Sequence, residues 1–480
     1  MIGLRRTKIV VTLGPATDDP AVFDRMVDEG ADVARINASH GTQADHLRRL
    51  EQVRAAARRA DRSIGVLMDL GGPKIRIEGF RDGPVRLEEG QPFTLDTSLA
   101  PKAGTVEQVG VAYQDLPRDV SAGDALLLAD GQIVLDVVAV AGTRIQCRVR
   151  LGGELSDRKG LNRQGGGISA PALSDKDKDD IRFGAEKGID YIAVSFARDA
   201  SDISRARTLV RDAGGAARIV AKIERQEAIT NLAGIVEAAD AVMVARGDLG
   251  VEMGYAELTG LQKTIIYESR LRNRVVITAT QMMESMIQNP VPTRAEVSDV
   301  ANAVMDGTDA VMLSAETAMG RYPVKAVRAM ADVIEGAEKY ELTHTSTRHR
   351  VEKLFTGSEE AIAMAVMYTA SHLKVRAIVA LTESGATPLF MSRIRADIPI
   401  YAFTGHEATR GRVTLYRGVY PVIFDVRAAN TTERLYHSIF ARLLDLRLVE
   451  RGDLVILTKG EQSGVEGGTN SMQILKVALD

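Results

Sequence analysis

The stretch AKIERQEAITNLAGIVEAADAVMVARGDLGVE, residues 221–252, contains two apolar runs that each end in charged side chains. The first run leads to Lys222 and Glu224, and the second leads to Asp248. Apolar residues recur between them at helical spacing, so the stretch predicts a strand, a helix and a second strand. Parallel strands joined in this way place both carboxylates at the same edge of a sheet.

Two carboxylates at one sheet edge are typical of a magnesium site, because this ion prefers oxygen ligands and keeps positions open for a phosphorylated substrate. A lysine two residues from one carboxylate can stabilise negative charge on a reacting oxygen. For an isolated Lys-x-Glu pattern, a surface cluster of salt bridges on an ordinary βαβ unit is the alternative.

Composition excludes several classes of protein. The 480 residues are 26% charged and 45% hydrophobic, with a formal net charge of -3, so we expect two to four domains and no nucleic-acid partner. No stretch reaches the roughly 18 apolar residues of a membrane span. The single cysteine, Cys147, excludes an internal disulfide framework and favours a cytoplasmic location.

Eight strand–helix units can be counted along the chain, and this count predicts a (β/α)8 TIM barrel. The predicted strands are residues 8–13, 32–36, 64–68, 191–194, 218–223, 241–245, 275–277 and 310–313. An open Rossmann-type sheet is the alternative, but it does not need eight units, and no G-x-G-x-x-G pattern follows the first strand.

The predicted barrel, residues 1–70 and 169–340, is interrupted by a different pattern. Residues 71–168 are short, alternating and rich in glycine turns, which predicts a small inserted β-barrel lid domain, with residues 165–167 as its return hinge. Residues 341–480 show a further strand–helix rhythm and predict a C-terminal α/β domain.

Reactive side chains stand at the ends of seven predicted strands. They are Asn37, Asp69, Ser195, Lys222 with Glu224, Asp248, Thr280, and Ser314 with Glu316. In a barrel these ends converge on the face where catalysis occurs. Helix capping is the alternative for any single residue, and Ser39, Ser195 and Ser314 could each cap the next helix.

Several motifs together resemble the pyruvate kinase family, in that family's order and nearly from end to end. They are KIVVTLGP, VARINASHG, MDLGGPKIR, KIE, MVARGDLG, TATQMMESM and NPVPTRAEVSDVANAVMDGTDAVMLSAETAMG. The resemblance implies a barrel, a β lid inserted after the third strand and a C-terminal regulatory domain. It also implies transfer of the phosphoryl group of phosphoenolpyruvate to ADP, which gives pyruvate and ATP.

The resemblance also implies roles for individual residues. Glu224 and Asp248 match ligands of Mg2+ (or Mn2+), while Lys222 and Arg35 match the cations on the phosphoryl group and the enolate oxygen. Residues of the family's substrate pocket are matched here by Ser195, Arg246, Gly247, Asp248 and Thr280. Residues that contact the nucleotide in the family are matched by Asn37, His40, Arg76 and Lys159. Thr280, through a water and the pair Ser314 and Glu316, is the expected proton route, since no group there is an obvious acid near pH 7.

One departure from the family concerns potassium. Asn37, Ser39, Asp69 and the carbonyl of Leu70 match a monovalent-cation site, but Lys74 stands where potassium-dependent members carry glutamate. A compact ammonium can supply the missing positive charge. We therefore expect activity without potassium.

The C-terminal residues Thr382, Ser384, Gly385 and Thr387 match a phosphate-binding effector loop. A second loop, residues 460–470, lacks the Arg or Lys that a bisphosphate would favour, so a sugar monophosphate or AMP is the expected effector. The family is usually a homotetramer. A magnesium-dependent barrel lyase and a catalytically silent metabolite sensor are the alternative functions.

Overall fold

The first part of the computed structural model has the predicted strand–helix rhythm; the structure describes residues 4–344, 355, 357–394, 396–426, 431–460 and 467–478. The elements here are β1 (Lys8–Thr12), α1 (Pro20–Asp28), β2 (Val33–Asn37), α2 (Gln43–Arg59) and β3 (Gly65–Asp69). Asp19 caps α1 and Thr42 caps α2 through side-chain oxygens that accept backbone N–H groups, so each helix begins where an orphan donor is satisfied.

The inserted region is a β domain with its own apolar core. Its elements are β4 (Val85–Leu87), β5 (Pro92–Asp96), β6 (Gln108–Gly110), α3 (Leu116–Asp119), β7 (Ala125–Leu128), β8 (Ile133–Ala141), β9 (Arg144–Leu151), β10 (Gly153–Leu155) and β11 (Leu161–Arg163). They form a six-stranded sheet in the order β11-β7-β8-β9-β5-β6 and a two-stranded ribbon of β10 and β4. Cys147 is buried in this core, and burial raises the pKa of its thiol to about 12.

The strand–helix rhythm then resumes. Its elements are α4 (Asp175–Glu186), β12 (Tyr191–Val194), α5 (Ala200–Asp212), β13 (Arg218–Ile223), α6 (Gln226–Thr230), α7 (Leu232–Ala238), β14 (Ala241–Ala245), α8 (Arg246–Met253), α9 (Tyr255–Leu271), β15 (Val275–Ala279), α10 (Arg294–Asp306), β16 (Ala310–Leu313), α11 (Ala315–Ala318) and α12 (Pro323–His344). The segment predicted as one helix after Glu224 is two short helices that meet at Asn231.

Eight parallel strands close into a barrel in the order β1-β16-β15-β14-β13-β12-β3-β2. Six of them are buried at every position, which explains why apolar runs rather than alternation marked them in the sequence. The predicted TIM barrel is confirmed, and the Rossmann-type alternative is wrong. No helix within the described ranges is long and apolar enough to cross a bilayer.

The C-terminal region is a five-stranded α/β unit. Its elements are α13 (Ser358–His372), β17 (Ala377–Leu381), α14 (Ala386–Ser392), β18 (Ile400–Thr404), α15 (Glu407–Val413), β19 (Val419–Ile423), α16 (Thr432–Asp445), β20 (Leu454–Gly460) and β21 (Thr469–Lys476). The sheet order is β19-β18-β17-β20-β21, and only the β20–β21 pair is antiparallel. Residues 461–466 of the predicted second effector loop lie outside the described residues.

This C-terminal unit packs against the end of the barrel where the strands begin. Lys8 Nζ, at the start of β1, donates to the carbonyl of Val419 at 2.7 Å, and the hydroxyl of Tyr191 donates to the carbonyl of Arg412 at 2.7 Å. The opposite end of the barrel, where the strands finish, therefore remains clear of this contact.

Candidate active site

Lys222, near the end of β13, lies at the centre of the side chains at the carboxyl ends of the strands. Its ammonium nitrogen is 2.7 Å from Ser195 Oγ, 3.3 Å from Asp69 Oδ1 and 3.3 Å from Glu224 Oε2. Burial acts to lower the pKa of Lys222, but the nearby carboxylates of Asp69, Glu224 and Asp248 raise it above its ordinary value. The barrel thus holds a partly buried, protonated ammonium at its mouth.

Arg35 adds a second cation beside this cluster. Its Nε and Nη2 atoms lie 2.8 Å and 2.7 Å from Asp69 Oδ2, and its Nη1 donates to Thr12 Oγ1 at 3.0 Å. Although burial opposes ionisation, Lys222 and Arg35 hold the pKa of Asp69 below its usual value. Asp69 therefore fixes the positions of both cations through one buried carboxylate.

Glu224 has the features of a metal ligand. Its Oε1 atom accepts from the backbone N–H of Phe196 at 2.7 Å, whereas its buried Oε2 atom makes no hydrogen bond and has only an ion pair with Lys222 at 3.3 Å. Burial raises the pKa of Glu224, and the neighbouring charges of Asp248 and Asp69 add to the effect. A divalent cation fits such an oxygen. Among the described residues, no group of three or more His, Cys, Asp or Glu side chains is arranged to hold a metal, so this carboxylate pair needs further ligands from a substrate or water.

Lys74 connects the lid to the barrel. Its ammonium nitrogen lies 3.7 Å from Asp248 Oδ1 and 4.0 Å from Asp130 Oδ1, which belongs to the lid turn between β7 and β8. A Cβ atom at Gly160 would lie 3.1 Å from Lys74 Cε, so the lysine stem crosses the base of the lid. Lys74 therefore places its charge at the carboxylate predicted to bind metal.

The other residues of the predicted monovalent-cation site lie together. Asn37 and Asp69 are partners in the β2–β3 register, and Asn37 Oδ1 accepts from the N–H of Ser39 at 3.1 Å. The carbonyl of Leu70 accepts from Ser195 Oγ at 2.8 Å. Helix capping, the alternative reading, is wrong for Ser39 and Ser195, because Thr42 and Asp199 cap the helices that follow them.

Thr280, just after β15, has a strained backbone. Its φ is +66°, a value that β-branched residues rarely adopt. Its Oγ1 atom accepts from the N–H of Gly247 at 2.8 Å and donates to the carbonyl of Ala279 at 2.6 Å. Arg246 supports this conformation, since its Nη2 donates to the carbonyl of Thr280 at 2.8 Å and its Nη1 pairs with Asp299 at 2.7 Å.

Ser314 and Glu316 form a separate pair next to this loop. Glu316 accepts from the N–H of Ser314 at 2.7 Å and from that of Met283 at 3.1 Å, and burial raises its pKa. Ser314 occupies the capping position of α11 but makes no capping bond, and its Oγ is buried without a partner. The pair thus meets the loop of Thr280 through the backbone of Met283.

Of the predicted nucleotide contacts, Asn37 lies beside Asp69 in this cluster, whereas the other three lie outside it. Arg76 pairs with Gly160 in an isolated β-bridge at the base of the lid, and its Nη1 donates to the carbonyl of Arg158 at 2.9 Å. The neighbouring Lys159 is exposed. His40 is exposed at the barrel mouth, where its carbonyl contacts the ring of His46 at 2.9 Å. The lid therefore carries two adjacent cations over the open end of the barrel.

The predicted effector loop lies far away along the fold, in the C-terminal sheet. Gly385 adopts φ +87° at the start of α14, and its N–H donates to Thr382 Oγ1 at 2.9 Å. The buried hydroxyl of Thr387 contacts that of Thr469 at 2.7 Å. Ser384, between these residues, belongs to the same turn.

Sequence reasoning missed a group of residues that hold the lid hinge: Asp177, Arg225, Glu227 and Glu252. Ser174 followed three residues later by Asp177 is a pattern typical of a capped helix start, and in the structure these two side chains cap α4. Nothing in the local pattern indicated that the same carboxylate also contacts a hinge glycine.

Glu252, on α8, gives a prediction for pH dependence. Burial raises its pKa to about 7, from an ordinary value of 4.5, with Glu227 adding to the effect and Arg225 opposing it. The folded state therefore favours the protonated acid, and this contribution to stability is lost as the pH rises from about 4.5 to about 7. We expect Glu252→Gln to remove that slope and to raise the free energy of unfolding at pH 8 by ~2–3 kcal/mol. Urea unfolding at pH 5 and pH 8 measures the free energy of unfolding of wild type and Glu252→Gln. The same change in this free energy between the two pH values in both proteins would contradict the prediction.

Comparison with known proteins agrees with this geometry. A family model described as "Pyruvate kinase, barrel domain" matches residues 4–327, and one described as "Pyruvate kinase, alpha/beta domain" matches residues 360–475. The chain belongs to the pyruvate kinase family. It is therefore an enzyme of the phosphotransferase class.

Individual relatives of the pyruvate kinase family extend the match over the whole chain. "Pyruvate kinase II" of Salmonella typhimurium is 52% identical over 478 residues, which cover 99% of each chain. "Pyruvate kinase" of Haemophilus influenzae is 50% identical over 96% of this chain and 97% of its own. A crystal structure of a pyruvate kinase from Cryptosporidium parvum is 32% identical and superposes with a TM-score of 0.89 over 99% of this chain and 96% of that one.

Proposed function

We propose that the chain transfers the phosphoryl group of phosphoenolpyruvate to ADP, without a requirement for potassium and under the control of a phosphorylated effector. The observation that carries this proposal is the partly buried ammonium of Lys222, held between Ser195, Asp69 and Glu224 at the ends of neighbouring strands. Phosphoryl transfer needs positioning and cations around spreading negative charge more than it needs covalent help.

The chain's own residues supply those cations. Lys222 and Arg35 converge on Asp69, so one carboxylate holds both cations in position before substrate binds. Lys222 stabilises the transferring phosphoryl group and the oxygen of the enolate left behind, and Arg35 contacts the phosphoryl group. Fixed charges in a buried site cost no reorganisation when the reaction occurs.

Glu224 and Asp248 hold Mg2+ (or Mn2+) in this proposal. The ion supplies positive charge to phosphate and enolate oxygens when it is bound. The residues fit that role because one buried oxygen of Glu224 makes no hydrogen bond and because both carboxylates act on Lys222. Ser195 supports the arrangement by accepting from Lys222 and donating to the carbonyl of Leu70.

The enolate must then receive a proton at carbon. We assign this role to Thr280, and the hydrogen bond that its hydroxyl accepts from the N–H of Gly247 supports the assignment. Threonine is not an acid near pH 7, so the proton reaches it through a relay of water with Ser314 and Glu316. The raised pKa of Glu316 supports its part in the relay.

Lys74 carries the prediction about potassium. Its ammonium already neutralises Asp248 at 3.7 Å, so we expect the wild-type rate in potassium-free buffer to lie within about twofold of the rate with potassium. Lys74→Glu reverses the charge there and should lower the potassium-free rate by about tenfold or more, with recovery on adding potassium. Lys178→Glu, at a half-buried site on α4 where the lysine pairs with Asp175, is the control. A wild type that needs potassium would refute the role given to Lys74.

The effector, the homotetramer and the cytoplasmic setting complete the proposal. Gly385 and Thr382 form a turn whose composition suits a phosphate, so glucose 6-phosphate or AMP should lower the KM for phosphoenolpyruvate in the same assay. Because Thr387 is already bonded to Thr469, its hydroxyl must turn if it is to contact the effector. A KM for phosphoenolpyruvate that neither compound changes would contradict the proposed control by a phosphorylated effector.

A further inference from the structure

The return hinge of the lid is held by one ion pair on the barrel. Residues 165–167 are three consecutive glycines with φ values of +83°, +73° and +88°. Glu227 Oε1 accepts from the N–H of Gly167 at 2.6 Å, and Arg225 Nη2 donates to the carbonyl of Ile168 at 2.9 Å. Arg225 and Glu227 also pair with each other at 3.0 Å. The pair therefore binds one backbone donor and one backbone acceptor of the hinge segment, residues 165–168.

The segment in which the chain enters the lid, at Gly72, is also held by a barrel carboxylate. Asp177 on α4 is buried, and its Oδ1 atom accepts from the N–H of Gly72 at 3.0 Å while Oδ2 caps its own helix. Gly72 has a φ of +64°, and a Cβ atom there would lie 2.7 Å from the ring of Phe196. Each of the two chain crossings into the lid thus has a glycine N–H bound to a barrel carboxylate.

These contacts lie on the same segments as the proposed metal ligands. Glu227 follows Glu224 by three residues, and Phe196, which packs on Gly72, donates its N–H to Glu224. Glu252 lies one helical turn after Asp248 on α8, and its Oε2 atom accepts from the N–H of Gln226 at 3.0 Å. Short connections therefore link the hinge to the proposed metal ligands.

We propose that Glu227 and Asp177 are positioning residues that clamp the two hinge segments of the lid and so set where the lid lies over the barrel mouth. The clamp depends on the length of the side chain, because its terminal oxygen must lie within hydrogen-bond distance of the glycine N–H. The consequence for nucleotide binding rests on the proposed function, because it assumes that Arg76 and Lys159 on the lid contact the nucleotide phosphates.

Two substitutions of Glu227 separate reach from charge. Glu227→Asp keeps the charge opposite Arg225 but is one methylene too short to reach Gly167, whereas Glu227→Gln keeps the reach and loses the charge. We expect Glu227→Asp to raise the KM for ADP by about fivefold or more, with the KM for phosphoenolpyruvate changed by less than twofold. Glu227→Gln should stay close to wild type. Glu51→Ala, an exposed glutamate on α2, is the control for removal of a surface charge.

Limited trypsin digestion measures how readily the hinge opens and does not depend on enzyme activity. Arg163, which ends β11 just before the glycines, should be cleaved about fivefold faster in Glu227→Asp than in wild type or Glu227→Gln. Faster cleavage with an unchanged KM for ADP would support the clamp but contradict the proposal that the lid contacts the nucleotide. Equal cleavage in all variants, or a defect in Glu227→Gln but not in Glu227→Asp, would overturn the clamp.

Discussion

Lys222→Met is expected to lower kcat for pyruvate formation by about a thousandfold or more, which corresponds to ~4 kcal/mol of transition-state stabilisation. The methionine keeps most of the stem but removes the only group that contacts Ser195, Asp69 and Glu224 at once within the described site. The KM values should change far less than kcat, because the lost charge acts on oxygens whose charge develops during the reaction.

A control separates this effect from general loss of charge. Lys374 is exposed between α13 and β17 in the C-terminal unit, so Lys374→Met removes an ammonium outside the barrel and should leave kcat within about twofold. Steady-state kinetics on both variants decides the matter. A kcat for Lys222→Met within tenfold of wild type would contradict the role assigned to this lysine.

Asp309→Ala should give the largest loss of stability. Asp309 and Arg393 are both almost fully buried where the barrel meets the C-terminal unit, and Arg393 Nη1 lies 2.8 Å from Asp309 Oδ2. The same oxygen accepts from the N–H of Val276 at 2.8 Å. Removing one partner leaves a buried guanidinium without its anion, which costs ~3–5 kcal/mol.

We expect the midpoint of thermal unfolding of Asp309→Ala to fall by about 6 °C or more. Asp332→Ala, which removes an exposed partner of Arg328, should shift it by less than about 2 °C. The double variant Asp309→Leu with Arg393→Met should recover at least half of the loss, because it leaves no uncompensated charge. A small shift for Asp309→Ala alone would show that this contact does not hold the two units together.

The barrel could be predicted because most of its strands are fully buried and the turns after them carry polar residues. Residues 241–245 and 310–313 were placed to the residue, since an apolar run bounded by charged or polar side chains leaves little choice of register. The strand at Thr469–Lys476 was missed because it is an edge strand with half-exposed side chains and an antiparallel partner. Val419–Ile423 was missed because a proline interrupts a short run.

The site was predictable at the level of residue types but not of geometry. Lys222, Asp69 and Glu224 could be placed at one edge because parallel strands end together. The left-handed backbone at Thr280 and the bond of Arg246 to Asp299 could not, since both depend on contacts between segments far apart in the chain. The hinge carboxylates escaped for the same reason, because Glu227 binds a glycine 60 residues away.

The most direct test of the account follows phosphorus itself. Purified protein is mixed with phosphoenolpyruvate, ADP and magnesium in potassium-free buffer, and 31P NMR records each phosphorus signal over time. We expect the phosphoenolpyruvate signal to fall while the γ-phosphorus signal of ATP rises by the same amount. Loss of phosphoenolpyruvate without ATP would favour the barrel lyase, and no change with potassium, glucose 6-phosphate and AMP added would contradict phosphoryl transfer by this chain.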